Sequence, residues 1–115
     1  MNYKHMKKYW IVLFLVSVLL VSTQCKKEDE EEPDTIAPII TLIGSNPLLV
    51  NKGSVFTDPG ATATDNKDGD ITNKIVVSGT VDTSVEATYY LKYNVSDTAG
   101  NKAGEQIREV TVMIF

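Results

Sequence analysis

Histidine, tryptophan and cysteine are almost missing from this 115-residue chain: it has one of each, His5, Trp10 and Cys25, all near the N-terminus. From residue 26 onward none of the three occurs. A Ser-His-Asp or Cys-His nucleophile therefore cannot be assembled there, nor a zinc site held by imidazole or thiolate. No disulfide can form within the body of the chain. Catalysis by paired carboxylates needs none of these residues. A domain of about 80 residues, however, has little room for a substrate cleft beside its core. The chain reads as a protein that is not an enzyme.

Positive charge is scarce too, with 11 Lys and Arg against 15 Asp and Glu. Three of the 11, Lys4, Lys7 and Lys8, belong to the N-terminal segment; without residues 1–24 there are 8 basic and 15 acidic residues, a net charge of −7. Such a chain is a poor partner for nucleic acid or for an anionic membrane surface. Those three lysines precede an apolar run from Trp10 to Val21, interrupted only by Ser17, and then Cys25. The run has signal-peptide length and falls short of the roughly 20 residues that span a bilayer. The arrangement resembles a bacterial lipoprotein signal. That resemblance implies removal of residues 1–24 and lipidation of Cys25, which would hold the protein on a membrane through its acyl chains. Two other readings stay open: an uncleaved membrane anchor, and an ordinary secretory signal with an idle cysteine.

Residues 26–34, KKEDEEEPD, are dense in acid and poor in apolar groups. Self-repulsion predicts a solvated, extended tether over 25–37. Lysine and then acid directly after the cysteine also resembles the export signal of surface-displayed lipoproteins in some Gram-negative bacteria. The expected location is therefore the outer membrane, lipid-anchored and facing the cell exterior.

Residues 38–115 read as one all-β domain. β-Branched residues are frequent, and turn signals recur every 8–12 residues. Strands are predicted over 39–43, 48–50 with 54–56, 61–64, 74–78, 88–96 and 107–114. In the penultimate segment Tyr89, Leu91, Tyr93 and Val95 alternate with Tyr90, Lys92, Asn94 and Ser96, giving one apolar and one polar face. Val110, Val112 and Ile114 alternate likewise with Glu109, Thr111 and Met113. The two segments should pair antiparallel around a turn near Gly100-Asn101. Tyr89 and Tyr93 are expected in the core, and outward-facing Tyr90 is the better ligand candidate of the three.

Five motifs then point to a family: DTIAPIITLIG (34–44), FTDPGATATDNKDGDIT (56–72), IVVSGTVDTS (75–84), YYLKYNVSDTAGN (89–101) and REVTV (108–112). In that order they resemble the Ig-like domain of bacterial surface proteins, which also occurs in certain pesticidal crystal proteins. The resemblance implies an immunoglobulin-like antiparallel β-sandwich of about seven strands. It places Tyr89 in the corner-tyrosine role and Leu91 where a disulfide cysteine stands in related folds. It also implies a non-catalytic binding or adhesion module whose partner is an extracellular protein or glycan, or else a structural spacer or an accessory subunit of an envelope complex.

Carboxylates supply the remaining chemical signal. Asp65, Asp68 and Asp70 share one Gly-containing loop, with Asp58 a strand earlier and Asp97 in a later loop. Calcium takes six to eight oxygen ligands, which an irregular acidic loop can offer. The competing reading is turn chemistry, in which Asp accepts from nearby backbone amides. A calcium ion on Asp65, Asp68 and Asp70 is the metal expectation, and no other cofactor is expected.

Overall fold

The computed structural model describes residues 30–115; the signal segment 1–24, Cys25 and the first residues of the tether lie outside the described residues. The chain divides into two units, Met1–Glu32 and Pro33–Phe115. Residues 30–32 of the first are exposed and carry no regular structure. The second unit has seven strands: β1 (Ile39–Leu42), β2 (Leu48–Asn51), β3 (Ala61–Asp65), β4 (Gly69–Asp70), β5 (Val76–Ser78), β6 (Ala87–Asn94) and β7 (Gln106–Met113). They form a three-stranded sheet, β1-β3-β4, and a four-stranded sheet, β2-β7-β6-β5. A 3-10 turn, Thr72–Lys74, precedes β5. Among the described residues there is no α-helix, and so none long and apolar enough to cross a membrane. The fold is the expected immunoglobulin-like β-sandwich.

Alternation builds the core. In the three-stranded sheet Ile40 lies opposite Ala63 and Leu42 opposite Ala61, so each large aliphatic side chain faces a small one across the ladder. In the four-stranded sheet Leu91, Tyr93, Val110 and Val112 are buried, while Tyr90, Lys92, Glu109 and Met113 point outward. Val50, Ile71, Val95 and Ala103 complete the buried cluster. Tyr89 is half-buried, and its hydroxyl donates to the Val85 carbonyl at 3.4 Å. This is the backward reach expected of a corner tyrosine, and Leu91 takes its place in the core two residues on.

Strand pairing is antiparallel at every contact but one: β2 runs parallel to β7. A parallel neighbour needs a long connection, and here β3 to β6 lie between the two strands. Asn46 prepares the pairing. Its Nδ2 donates to the Ile107 carbonyl at 2.9 Å and its Oδ1 accepts from the Glu109 amide at 2.8 Å, so β7 is already bonded where β2 begins.

Local expectations change at several points: Lys74 and Ile75, expected to open a strand, end the 3-10 turn instead, and β6 stops at Asn94 rather than Ser96. Residues 54–56 are not a strand, because the Ser54 amide and hydroxyl both return to the Asn51 carbonyl and close a turn. Ile114 is 64% exposed, since β7 ends at Met113 and the inward alternation stops with it. Gly69–Asp70, expected as loop, instead forms the short strand β4 against the end of β3.

Candidate functional site

Among the described residues two charged side chains are buried, Arg108 and Asp97, and each marks a polar cluster. The first is inside the sandwich. Arg108 sits on β7 in line with Val110 and Val112, and it is wholly buried. Its Nη1 donates to the Ser45 carbonyl at 2.6 Å, and its Nη2 to the carbonyls of Ile43 at 2.6 Å and Gly60 at 2.9 Å. Its Nε donates to the Tyr93 hydroxyl at 3.2 Å and lies 3.4 Å from Asp58 Oδ1. Tyr93 in turn donates to Asp58 Oδ1 at 2.6 Å, and the Gly60 amide donates to the same oxygen at 3.0 Å. Burial, with the Asp58 hydrogen bond second, pushes the Tyr93 hydroxyl above its ordinary pKa, so it stays a neutral donor. Ile43 follows β1 and Gly60 precedes β3, so an arginine from one sheet grips the backbone of the other. This is structural chemistry.

The second place is a loop end, where three chain segments bring acid together. One carboxylate oxygen each from Asp34, Asp65 and Asp97 lies within 4.8 Å of the others. Local turns fix all three. Asp34 Oδ1 accepts from the Ile36 amide at 3.1 Å. Asp65 Oδ2 accepts from the Lys67 and Asp68 amides, both at 2.9 Å. Asp97 Oδ1 accepts from the Asn101 amide at 2.8 Å and Asp97 Oδ2 from Asn101 Nδ2 at 2.7 Å. Asn101 Nδ2 also donates to the Asp34 carbonyl at 3.0 Å, tying the end of the tether to the β6–β7 connection. Asp65 Oδ1 is sealed from solvent and has no hydrogen-bond partner. Asp97 is only 6% exposed. Two carboxylates at such spacing repel by about 1–3 kcal/mol, from water-like to protein-surface screening.

The three aspartates of the expected calcium loop separate. Asp65 joins the cluster; Asp68 and Asp70 are engaged elsewhere. Asp68 Oδ2 accepts from the Thr98 amide at 2.6 Å and lies 3.9 Å from Lys74 Nζ. Hydrogen bonding by Thr98, more than Lys74, lowers its pKa. Asp70 Oδ1 accepts from the Thr72 amide at 3.0 Å, and hydrogen bonding by Thr72, its side chain first and its amide second, lowers the Asp70 pKa likewise. Turn chemistry accounts for Asp70, whereas Asp68 reaches across to the β6–β7 connection. Asp34 and Asp97 lie outside the expected ligand set, because Asp34 stands in the tether in sequence and Asp97 in a later loop. Cys25, the expected lipidation residue, lies outside the described residues.

The outer face of the four-stranded sheet is mixed rather than polar. Leu49, Tyr90, Ile107 and Met113 are exposed on it, interleaved with Lys92, Glu109 and Thr111. Tyr90 pairs with Glu109 and Lys92 with Ile107, so Tyr90 and Ile107 are diagonal neighbours on that face.

The family model of the bacterial surface protein Ig-like domain matches residues 40–112. No curated protein matches the chain. Among solved structures, the lipoprotein BT2262 from Bacteroides thetaiotaomicron is similar at 27% identity and TM-score 0.58, over 67% of this chain and 38% of that one. The structure of CBM51-2 in complex with GlcNAc and INT domains from Clostridium perfringens ZmpB is similar at 28% identity and TM-score 0.55, over 68% of this chain and 17% of that one. The chain thus spans less than two thirds of either.

Proposed function

The chain belongs to the bacterial surface protein Ig-like domain family, and from that premise we propose that it is a lipid-anchored, outward-facing module that binds an extracellular protein or glycan without catalysis. The observation that carries the binding role is the outer face of the four-stranded sheet. There an exposed tyrosine stands among exposed Leu49, Ile107 and Met113. Tyrosine supplies a large, rigid contact with one polar end, which is why it is frequent at binding hot spots. The core needs none of these four residues. The likeness to a Bacteroides lipoprotein supports the anchor, as does the order of basic segment, apolar run and Cys25.

Two outcomes test the reading. Cys25→Ala removes the acylated sulfur, so the protein should move from the membrane fraction to the soluble fraction of fractionated cells. Retention in the membrane would leave the uncleaved anchor instead. Tyr90→Ala should reduce, by about tenfold or more, the yield of the species that cross-links to the protein on intact cells. Because Tyr90 is outside the core, its melting temperature should stay within a few degrees of wild type. An undiminished cross-link would remove this face from the binding role.

A further inference from the structure

We infer that Asp34, Asp65 and Asp97 form a binding site for a divalent cation of the calcium class, and that the ion fastens the end of the tether to the loops of the sandwich. This is independent of the binding role proposed above. Two separate observations carry it. The first is convergence: three carboxylates from three chain segments offer oxygens within 4.8 Å of one another. Two oxygens each about 2.4 Å from a calcium ion, on opposite sides of it, are about 4.8 Å apart. None of the three oxygens is therefore farther from another than two ligands of one calcium ion can be.

The second observation is Asp65 Oδ1, a carboxylate oxygen sealed from solvent with no hydrogen-bond donor. Buried acceptors in folded proteins are almost always satisfied, and an ionised one is the costliest to leave bare. The partner oxygen, Oδ2, is already held by the amides of Lys67 and Asp68. Those bonds orient the carboxylate and leave Oδ1 to be satisfied from elsewhere. A cation shared with Asp34 and Asp97 satisfies it and offsets the repulsion among the three.

The donor set selects the metal. Oxygen ligands alone suit a hard cation, and there is no imidazole or thiolate to favour zinc. Calcium accepts irregular coordination and fills its remaining positions with carbonyls and water, whereas magnesium demands a near-ideal octahedron. Asn101 is the organising residue. It holds both oxygens of Asp97 and, through the same side-chain nitrogen, the main-chain carbonyl of Asp34. The ion would complete a connection that this asparagine begins.

The test compares thermal unfolding of the full-length protein in detergent, in millimolar calcium and in chelator, alongside calorimetric titration with calcium chloride. Wild type should melt about 5 °C or more higher in calcium and should release heat on titration. Magnesium should shift the midpoint less. Asp34→Asn removes a ligand that lies outside both sheets, so the variant should fold, lose the calcium shift and the heat, and melt in chelator no lower than wild type. Asp68→Asn and Asp70→Asn should keep the whole calcium shift. Equal wild-type midpoints in calcium and chelator with no titration heat would overturn the proposal. So would a calcium shift that survives Asp34→Asn but disappears in Asp68→Asn, which would return the ion to the 65–70 loop.

Discussion

Arg108→Leu is expected to lower the stability of the domain by about 3–5 kcal/mol, enough to leave much of it unfolded at growth temperature. The magnitude follows from what the leucine would abandon. Arg108 is wholly buried and supplies donors to three backbone carbonyls and to Tyr93. A buried acceptor left without its donor costs about 1–3 kcal/mol, more where the lost donor was charged. Removing one partner of a buried ion pair costs about 3–5 kcal/mol. These contributions overlap rather than add, and the Asp58 share is the smaller one because its side chain is 25% exposed and keeps the Tyr93 hydroxyl. A domain of this size has a total stability of only about 4–12 kcal/mol. Arg108→Lys should not rescue it, since one ammonium cannot reproduce the planar fork that reaches Ile43, Ser45 and Gly60 together. Chemical denaturation with a shared slope measures both variants. A loss below about 1 kcal/mol for Arg108→Leu would mean that the apolar core holds the sheets together by itself. The arginine matters because the domain has no disulfide. With Leu91 standing where related folds carry a cysteine, the cross-sheet tie is made by hydrogen bonds to backbone.

That tie was half-visible in the sequence. Val110 and Val112 set the inward parity of β7, and stepping back two residues puts Arg108 on the same face. The composition rule that arginine belongs outside hides the step, because parity cannot say that three carbonyls await the guanidinium. The alternation of β6 was legible because one of its faces is core and the other solvent, the case in which period two is cleanest. Ile114 failed for the opposite reason: the alternation continues in the residue types while the strand does not. The acidic site shows a different limit. DNKDGD presents its carboxylates close together in sequence, which suggests a single loop as the site. In the fold Asp65 and Asp70 serve turn hydrogen bonds and Asp68 reaches across to the Thr98 amide, while the oxygens that converge come from the tether, the end of β3 and the turn after β6. Only topology brings those segments together, and local spacing does not encode it.

Gly79→Ala is the second change expected to be severe, at about 2–5 kcal/mol. Gly79 follows β5 with φ of +103°, a conformation that L side chains rarely adopt. A Cβ there would run into the carbonyl oxygen of Tyr90 and would stand 3.4 Å from the Leu91 side chain. The obstacle is backbone of β6, the strand that carries Leu91 and Tyr93 into the core, so it cannot yield as a flexible side chain would. Two costs are therefore present: about 1–2 kcal/mol for the left-handed backbone and about 1–3 kcal/mol for forcing atoms into packed structure. Gly100 separates them. Its φ is +95°, yet a Cβ there would meet nothing within 4 Å. Gly100→Ala should thus lose only the backbone share, and the difference between the two variants reports the clash. If both lose the same amount, β5 shifts away from β6 without penalty and the close approach at Gly79 does not constrain the edge of the sheet. If Gly79→Ala loses more, the chain leaving β5 is held close against the backbone of β6 at Tyr90. Beyond Ser78 the β5–β6 ladder has no further pairs. The glycine would then mark where the sheet edge ends as well as how closely it packs.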